Sequence, residues 1–179
     1  MTYTNFSAYL PFSLHLTAKP RKGIGNMFRH QMETFAILLE FGYTDPVLLK
    51  AAMIHDIVED GAEVGFTAFN EIEKADADGL AVMALVREVS QRLVNGQKEP
   101  KKDFLLRVME NGSANAKILK MADRISNLSA LSLAGNKQFI TNYIEETSLY
   151  ILPYAKGVSE PMAGELQKLI HFNKTFNHE

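Results

Sequence analysis

Apolar residues recur at helical spacing along almost the whole of this chain, and no stretch of strict alternation is bounded by hairpin turns. Packed helices are therefore the expected architecture, and a sheet has little support. Phe35, Leu38 and Leu39 stand at i, i+3 and i+4, and Gly42 follows Phe41 as a helix stop. Asp45-Pro46 reads as N-cap and first helical residue, opening a helix from Val47 to Val58. Gly61 and Gly65 break the pattern, Phe66 to Glu73 reads as a short helix, and Leu80 to Leu93 as a longer one. Asn95-Gly96 and Pro100 mark a loop ahead of a helix over Lys101 to Glu110. Asn111-Gly112 ends that helix, Ser113 caps the next through about Leu133, and two more span Gln138 to Leu152 and Glu160 to Phe172. With a short helix from about Pro11, the expectation is one all-α domain over residues 1–179. It has about eight irregularly packed helices and no heptad pattern for a coiled coil.

Composition narrows the function classes. A chain of 179 residues with 46% hydrophobic and 22% charged side chains can bury its own core, which excludes disordered and low-complexity classes. A net charge of −2 offers no global basic surface for nucleic acid, although a local basic pocket for a small anion is compatible with it. Without cysteine there is no disulfide framework and no thiolate zinc site, which fits a cytoplasmic protein. Met1 to Ala18 carries no Asp, Glu, Lys or Arg, but it has no positive n-region. Thr2, Thr4, Asn5, Ser7, Pro11, Ser13 and His15 interrupt it, so neither a signal peptide nor a membrane segment is expected.

Three clusters carry chemistry. His55, Asp56, Glu59 and Asp60 sit in a segment that otherwise reads as core. In a continuous helix His55 and Glu59 share a face, as do Asp56 and Asp60. Three carboxylates within five residues repel one another unless a cation sits among them. Imidazole with carboxylate suits Zn, Mn or Fe rather than Ca. These residues alone leave open a solvated helix end with His55 as an ordinary buried histidine. On the second cluster, Lys120, Asp123, Arg124 and Asn127 fall at i, i+3, i+4 and i+7, a polar stripe on a helix otherwise suited to burial. A solvated face with an Asp123 ion pair and a remote metal ligand flanked by phosphate-binding cations both account for it. The third is Arg21-Lys22-Gly23-Ile24-Gly25, an anion-contacting loop or a solvated pair, nine residues ahead of His30.

Together, His30, His55-Asp56, Glu59-Asp60 and Lys120-Met121-Ala122-Asp123-Arg124-Ile125-Ser126-Asn127 resemble the HDxxED and ADRxxN patterns of RelA/SpoT-type hydrolase domains of the HD superfamily. The stand-alone Mesh1-like members are similar in size, and the resemblance is clearest over residues 6–154. It implies a metal-dependent hydrolase that removes pyrophosphate from guanosine 3′,5′-bis(diphosphate), the ppGpp of the stringent response. By the resemblance, His30, His55, Asp56 and Asp123 hold one divalent ion, usually Mn²⁺, with Zn²⁺, Fe²⁺, Co²⁺ or Ni²⁺ as other candidates. Glu59 and Asp60 serve the attacking water, and Arg21, Lys22, Lys120, Arg124, Asn127 and Tyr143 the nucleotide. The implied partner is a small guanosine nucleotide, with no nucleic acid or membrane, on a monomer or homodimer. No room is expected for a synthetase domain. The chain departs from the family where Gly25-Asn26-Met27-Phe28-Arg29 replaces a Gly-x-Pro-Tyr stretch, Gln31 follows His30, and Ser126 precedes Asn127. The alternatives are an HD phosphohydrolase for another phosphorylated metabolite, and an inactive nucleotide-binding module.

Overall fold

The Asp45 carboxylate accepts the Leu48 N–H at 2.7 Å, and Pro46 occupies the first turn of the helix that follows. Asn26, Ser113 and Asn136 cap three further helices through their side chains. The computed structural model describes residues 5–177, so Thr2 and Thr4 lie outside the described residues. No helix among the described residues is long and apolar enough to cross a membrane. The expected all-α class holds, with eleven α-helical segments among the described residues, several of a single turn.

The chain divides into two compact units, the first ending at Ser90 and excluding Lys22–Ile24. It comprises α1 (Leu10–Leu14), a 3-10 turn (His15–Ala18), α2 (Met27–Glu40), α3 (Pro46–Ala52), α4 (Ile57–Asp60), a second 3-10 turn (Gly61–Val64), α5 (Phe69–Glu73) and α6 (Gly79–Val89). Leu16, Leu38, Leu48, Ile54, Ile57, Ile72, Val82 and Val86 are buried here. Gly79 begins α6 so close to α5 that a Cβ there would lie 2.5 Å from the Ile72 carbonyl oxygen, which only glycine avoids.

The second unit holds Lys22–Ile24 and everything from Gln91. A two-stranded hairpin, β1 (Leu93–Val94) and β2 (Gln97–Lys98), precedes α7 (Lys101–Asn111), α8 (Ala114–Ser129), a 3-10 turn (Leu131–Ala134), α9 (Lys137–Tyr150), α10 (Leu152–Val158) and α11 (Glu160–Asn177). α8 packs on α7, α10 and α11, around Phe104, Leu119, Met121, Ile125, Ile144, Met162 and Leu166.

Several boundaries differ from the sequence reading. The helix expected over Val47 to Val58 stops at Ala52, passes through a turn at 53–56 and restarts at Ile57. No Gly or Pro lies in that stretch. The break follows from Ile54 and Ile57 bonding three residues back, to Ala51 and Ile54 carbonyls, which tightens the coil. The helix expected from Phe66 begins at Phe69, because the Phe66 N–H turns back to the Gly61 carbonyl at 2.8 Å. α6 ends at Val89 rather than Leu93, where Ser90 becomes extended. α8 ends at Ser129 rather than near Leu133, and Ile151 divides the expected Gln138 to Leu152 helix. Asn95 and Gly96 both have positive φ, 53° and 76°, and so turn the expected loop into a hairpin.

One ion cluster in the first unit has no local sequence signal. Lys50, only 5% exposed, lies 2.6 Å from both Asp76 and Asp78, and the buried Tyr9 hydroxyl donates to Asp76 at 2.7 Å. Burial raises the Asp76 pKa, but the bonds from Lys50, Tyr9 and the Asp78 N–H outweigh it and leave the carboxyl below its ordinary value. A depressed carboxyl stabilises the fold above its unfolded pKa and loses that contribution as pH falls through the folded one. The thermal midpoint is therefore expected to drop below about pH 4, and Asp76→Asn to flatten that part of the profile. At neutral pH the same variant is expected to lose on the order of 1 kcal/mol. Melting curves from acid to neutral pH check both, and an unchanged acid slope in Asp76→Asn would assign the loss to other carboxylates.

Candidate functional site

The break after α3 aims two side chains that a continuous helix would have spread around its axis. His55 Nδ1 lies 2.9 Å from the Ala52 carbonyl oxygen, an acceptor, so Nδ1 is assigned the proton and Nε2 presents its lone pair. His30, in the first turns of α2, brings its Nε2 to 3.2 Å from His55 Nε2. Asp56 Oδ2 completes the group, 3.3 Å from His55 Nε2 and 3.5 Å from His30 Nε2. Both histidines are buried, at 1% and 2% exposure.

These three residues are a group whose donor atoms could hold a metal ion. Asp56 Oδ2 is buried and has no hydrogen-bond partner, which is costly for a carboxylate oxygen unless a cation neutralises it. Bonds of about 2.1 Å from one metal to imidazole nitrogen and carboxylate oxygen separate those donors by roughly 3.0–3.4 Å. The observed spacings of 3.2 and 3.3 Å fall within that range, and the 3.5 Å between His30 and Asp56 lies just beyond it. The donor set suits a divalent transition ion.

Glu59 and Asp60 follow on α4, whose first bonds return to the Asp56 carbonyl: Glu59 N–H at 3.1 Å and Asp60 N–H at 2.9 Å. Asp60 Oδ1 receives the Lys19 ammonium at 2.5 Å. Burial raises the Asp60 pKa above its ordinary value, Asp56 and Glu63 add to that, and the Lys19 bond works against it. Arg21, in the same unit, lies 3.7 Å from the Glu33 carboxylate of α2.

The remaining expected residues lie in the second unit. On α8 the Asp123 carboxylate is held at both oxygens, by Lys120 at 2.9 Å on Oδ2 and by Asn127 at 2.5 Å on Oδ1. Three members of the polar stripe thus form one bonded cluster. Arg124, the fourth, turns away: it is 1% exposed, bonds Thr147 at 3.3 Å and Glu146 at 3.5 Å, and lies 4.2 Å over the Tyr143 ring. Lys22 sits 4.5 Å over the ring of Phe139, which neighbours Tyr143 on α9. The adjacent Arg21 and Lys22 therefore face different partners, an acid and an aromatic ring. Sequence reasoning missed Lys19, Phe139, and Glu146 and Thr147 as partners of Arg124. Each lies far along the chain from the group it meets, and no local spacing reveals it.

No protein-family model matches the chain. The chain is 30% identical over 136 residues to guanosine-3′,5′-bis(diphosphate) 3′-pyrophosphohydrolase MESH1 of Drosophila melanogaster, covering 75% of this chain and 70% of that protein. It is 30% identical over 119 residues to the Homo sapiens protein of the same name, covering 66% of this chain and 63% of that one. A solved structure, described as a metazoan ortholog of SpoT that hydrolyzes ppGpp and plays a role in starvation responses, superposes with a TM-score of 0.79 at 24% identity. That superposition covers 96% of this chain and 97% of the other, and supports the fold. On the extent of its likeness to the fly protein, the chain belongs to the MESH1-like family of HD hydrolases.

Proposed function

We propose that this chain hydrolyses guanosine 3′,5′-bis(diphosphate), releasing pyrophosphate from the 3′ position and leaving GDP, or GTP from the pentaphosphate. The observation that carries this reading is the His30–His55–Asp56 donor group, two buried histidines beside a buried, orphaned carboxylate oxygen, in a chain whose relatives are named for that reaction. Asp123 is proposed as the fourth ligand on the strength of the sequence pattern, with Mn²⁺ as the ion. Lys120 and Asn127, bonded to both Asp123 oxygens, hold that carboxylate in one orientation.

When bound, a divalent ion lowers the pKa of water toward about 7 and offsets charge on phosphoryl oxygens. Glu59 is proposed to take a proton from the attacking water, with Asp60 orienting that water. The water oxygen adds to the phosphorus that carries the 3′ oxygen, and the bond between that phosphorus and the 3′ oxygen breaks. The 3′ oxygen leaves with a proton as the nucleoside hydroxyl. Arg21, Lys22, Lys120, Arg124, Asn127 and Tyr143 are proposed to bind the nucleotide. Of these, Lys22, exposed and lying over the half-buried Phe139 ring, is the most accessible cation, and Arg124 acts through the Tyr143 ring it covers.

Incubating Mn²⁺-loaded protein with ppGpp, and resolving products by ion exchange, tests the reading. GDP and pyrophosphate are expected, and both vanish with a chelator. Release of orthophosphate instead, or no product from metal-loaded protein, would refute this substrate assignment. Binding without product in a single turnover would point to the inactive nucleotide-binding module.

A further inference from the structure

Lys19 has no role in the motif, yet it is the cation that the acidic turn meets. Its ammonium lies 2.5 Å from Asp60 Oδ1 and 2.7 Å from Glu63 Oε2. Its backbone is held on both sides: the N–H donates to the Leu16 carbonyl at 3.2 Å, and the carbonyl accepts the Met27 N–H at 2.9 Å, at the head of α2. Just beyond it, Pro20 bridges to Asn26 and the Arg21 N–H bonds the Gly25 carbonyl at 3.1 Å. The Lys19 and Asp60 side chains keep 20% and 16% exposure, so solvent screens this pair less than a surface pair, whereas Glu63 at 65% is open. Asp56, Glu59, Asp60 and Glu63 are four acids within eight residues, and a cation fixed to one of them limits how they rearrange under mutual repulsion.

We infer that Lys19 is a positioning residue for Asp60. It fixes Oδ1 from a pinned segment of backbone, so that the other carboxylate oxygen meets the attacking water in one orientation. This rests on the hydrolytic reading above. The acids that the Lys19 ammonium meets are Asp60 and Glu63, and in this assignment its effect on turnover passes through Asp60.

The test uses the full Mn²⁺-loaded chain with Lys19→Gln, Lys19→Arg and Glu63→Gln. Each is assayed on ppGpp and on bis(p-nitrophenyl) phosphate, a generic phosphodiester, with thermal midpoints measured alongside. Lys19→Gln is expected to lower kcat about 10- to 100-fold while KM stays within about twofold and the midpoint is unmoved. Lys19→Arg recovers most of the rate, and Glu63→Gln remains within about twofold of the parent. Wild-type kcat in Lys19→Gln, a loss confined to KM, or failure of Lys19→Arg together with a lowered midpoint would each overturn the inference. Should the parent cleave the diester but not ppGpp, the substrate reading fails and the Lys19 ratio on the diester still decides. Inactivity on both substrates overturns both.

Discussion

His55→Ala is expected to abolish Mn²⁺ binding and turnover together. The imidazole supplies Nε2 to a group in which the next donors stand 3.2 and 3.3 Å away, and its Nδ1 contact with the Ala52 carbonyl sets the ring in place. Alanine removes the donor and leaves Asp56 Oδ2 buried with one imidazole fewer beside it. Loss of an outer partner of a ligand costs about 10–100-fold in metal affinity, so loss of a ligand itself is expected to exceed that. Titration calorimetry with Mn²⁺, beside a ppGpp assay, reads both quantities. Asp123→Ala is expected to behave in the same way. Retained metal in Asp123→Ala with loss in His55→Ala would confine the ligand set to His30, His55 and Asp56.

Glu59→Gln is expected to separate what His55→Ala removes jointly. The amide keeps the shape of the side chain but does not take a proton, so kcat should fall about 10²- to 10⁴-fold with metal affinity unchanged. Nucleotide binding is retained, because Glu59 is not among the groups proposed to hold it. Equal metal loss in Glu59→Gln and His55→Ala would contradict this division of roles and place Glu59 among the ligands. Taken with Lys19→Gln, the two variants distinguish removal of the proposed base from disorder in its neighbour.

Legibility followed sequence distance. The Asp45-Pro46 start, the Ser113 cap and the Asn111-Gly112 stop are signals confined to a few residues, and each acts where it was read. The Lys120, Asp123 and Asn127 cluster was legible for the same reason, since i, i+3 and i+7 share a helix face whatever surrounds it. Arg124 shows the limit of that reasoning. It belongs to the same stripe by spacing, but one residue turns a helix by about 100°, and Thr147, Glu146 and Tyr143 were there to take its guanidinium. The short hairpin escaped because strands of two residues are too brief to display alternation.

By itself the sequence determined a helical chain and the residue types of a metal-dependent hydrolase, because periodicity, caps and the HDxxED and ADRxxN patterns all act over one or two turns. Tertiary structure decided the break at 53–56, which no Gly or Pro requires and which turns His55 and Asp56 toward His30. It also decided that Lys19 meets Asp60 across 41 residues and that Lys50 is buried between Asp76 and Asp78. A buried charge takes whatever opposite charge the packing brings within reach, and packing is a property of the folded chain rather than of any window of its sequence.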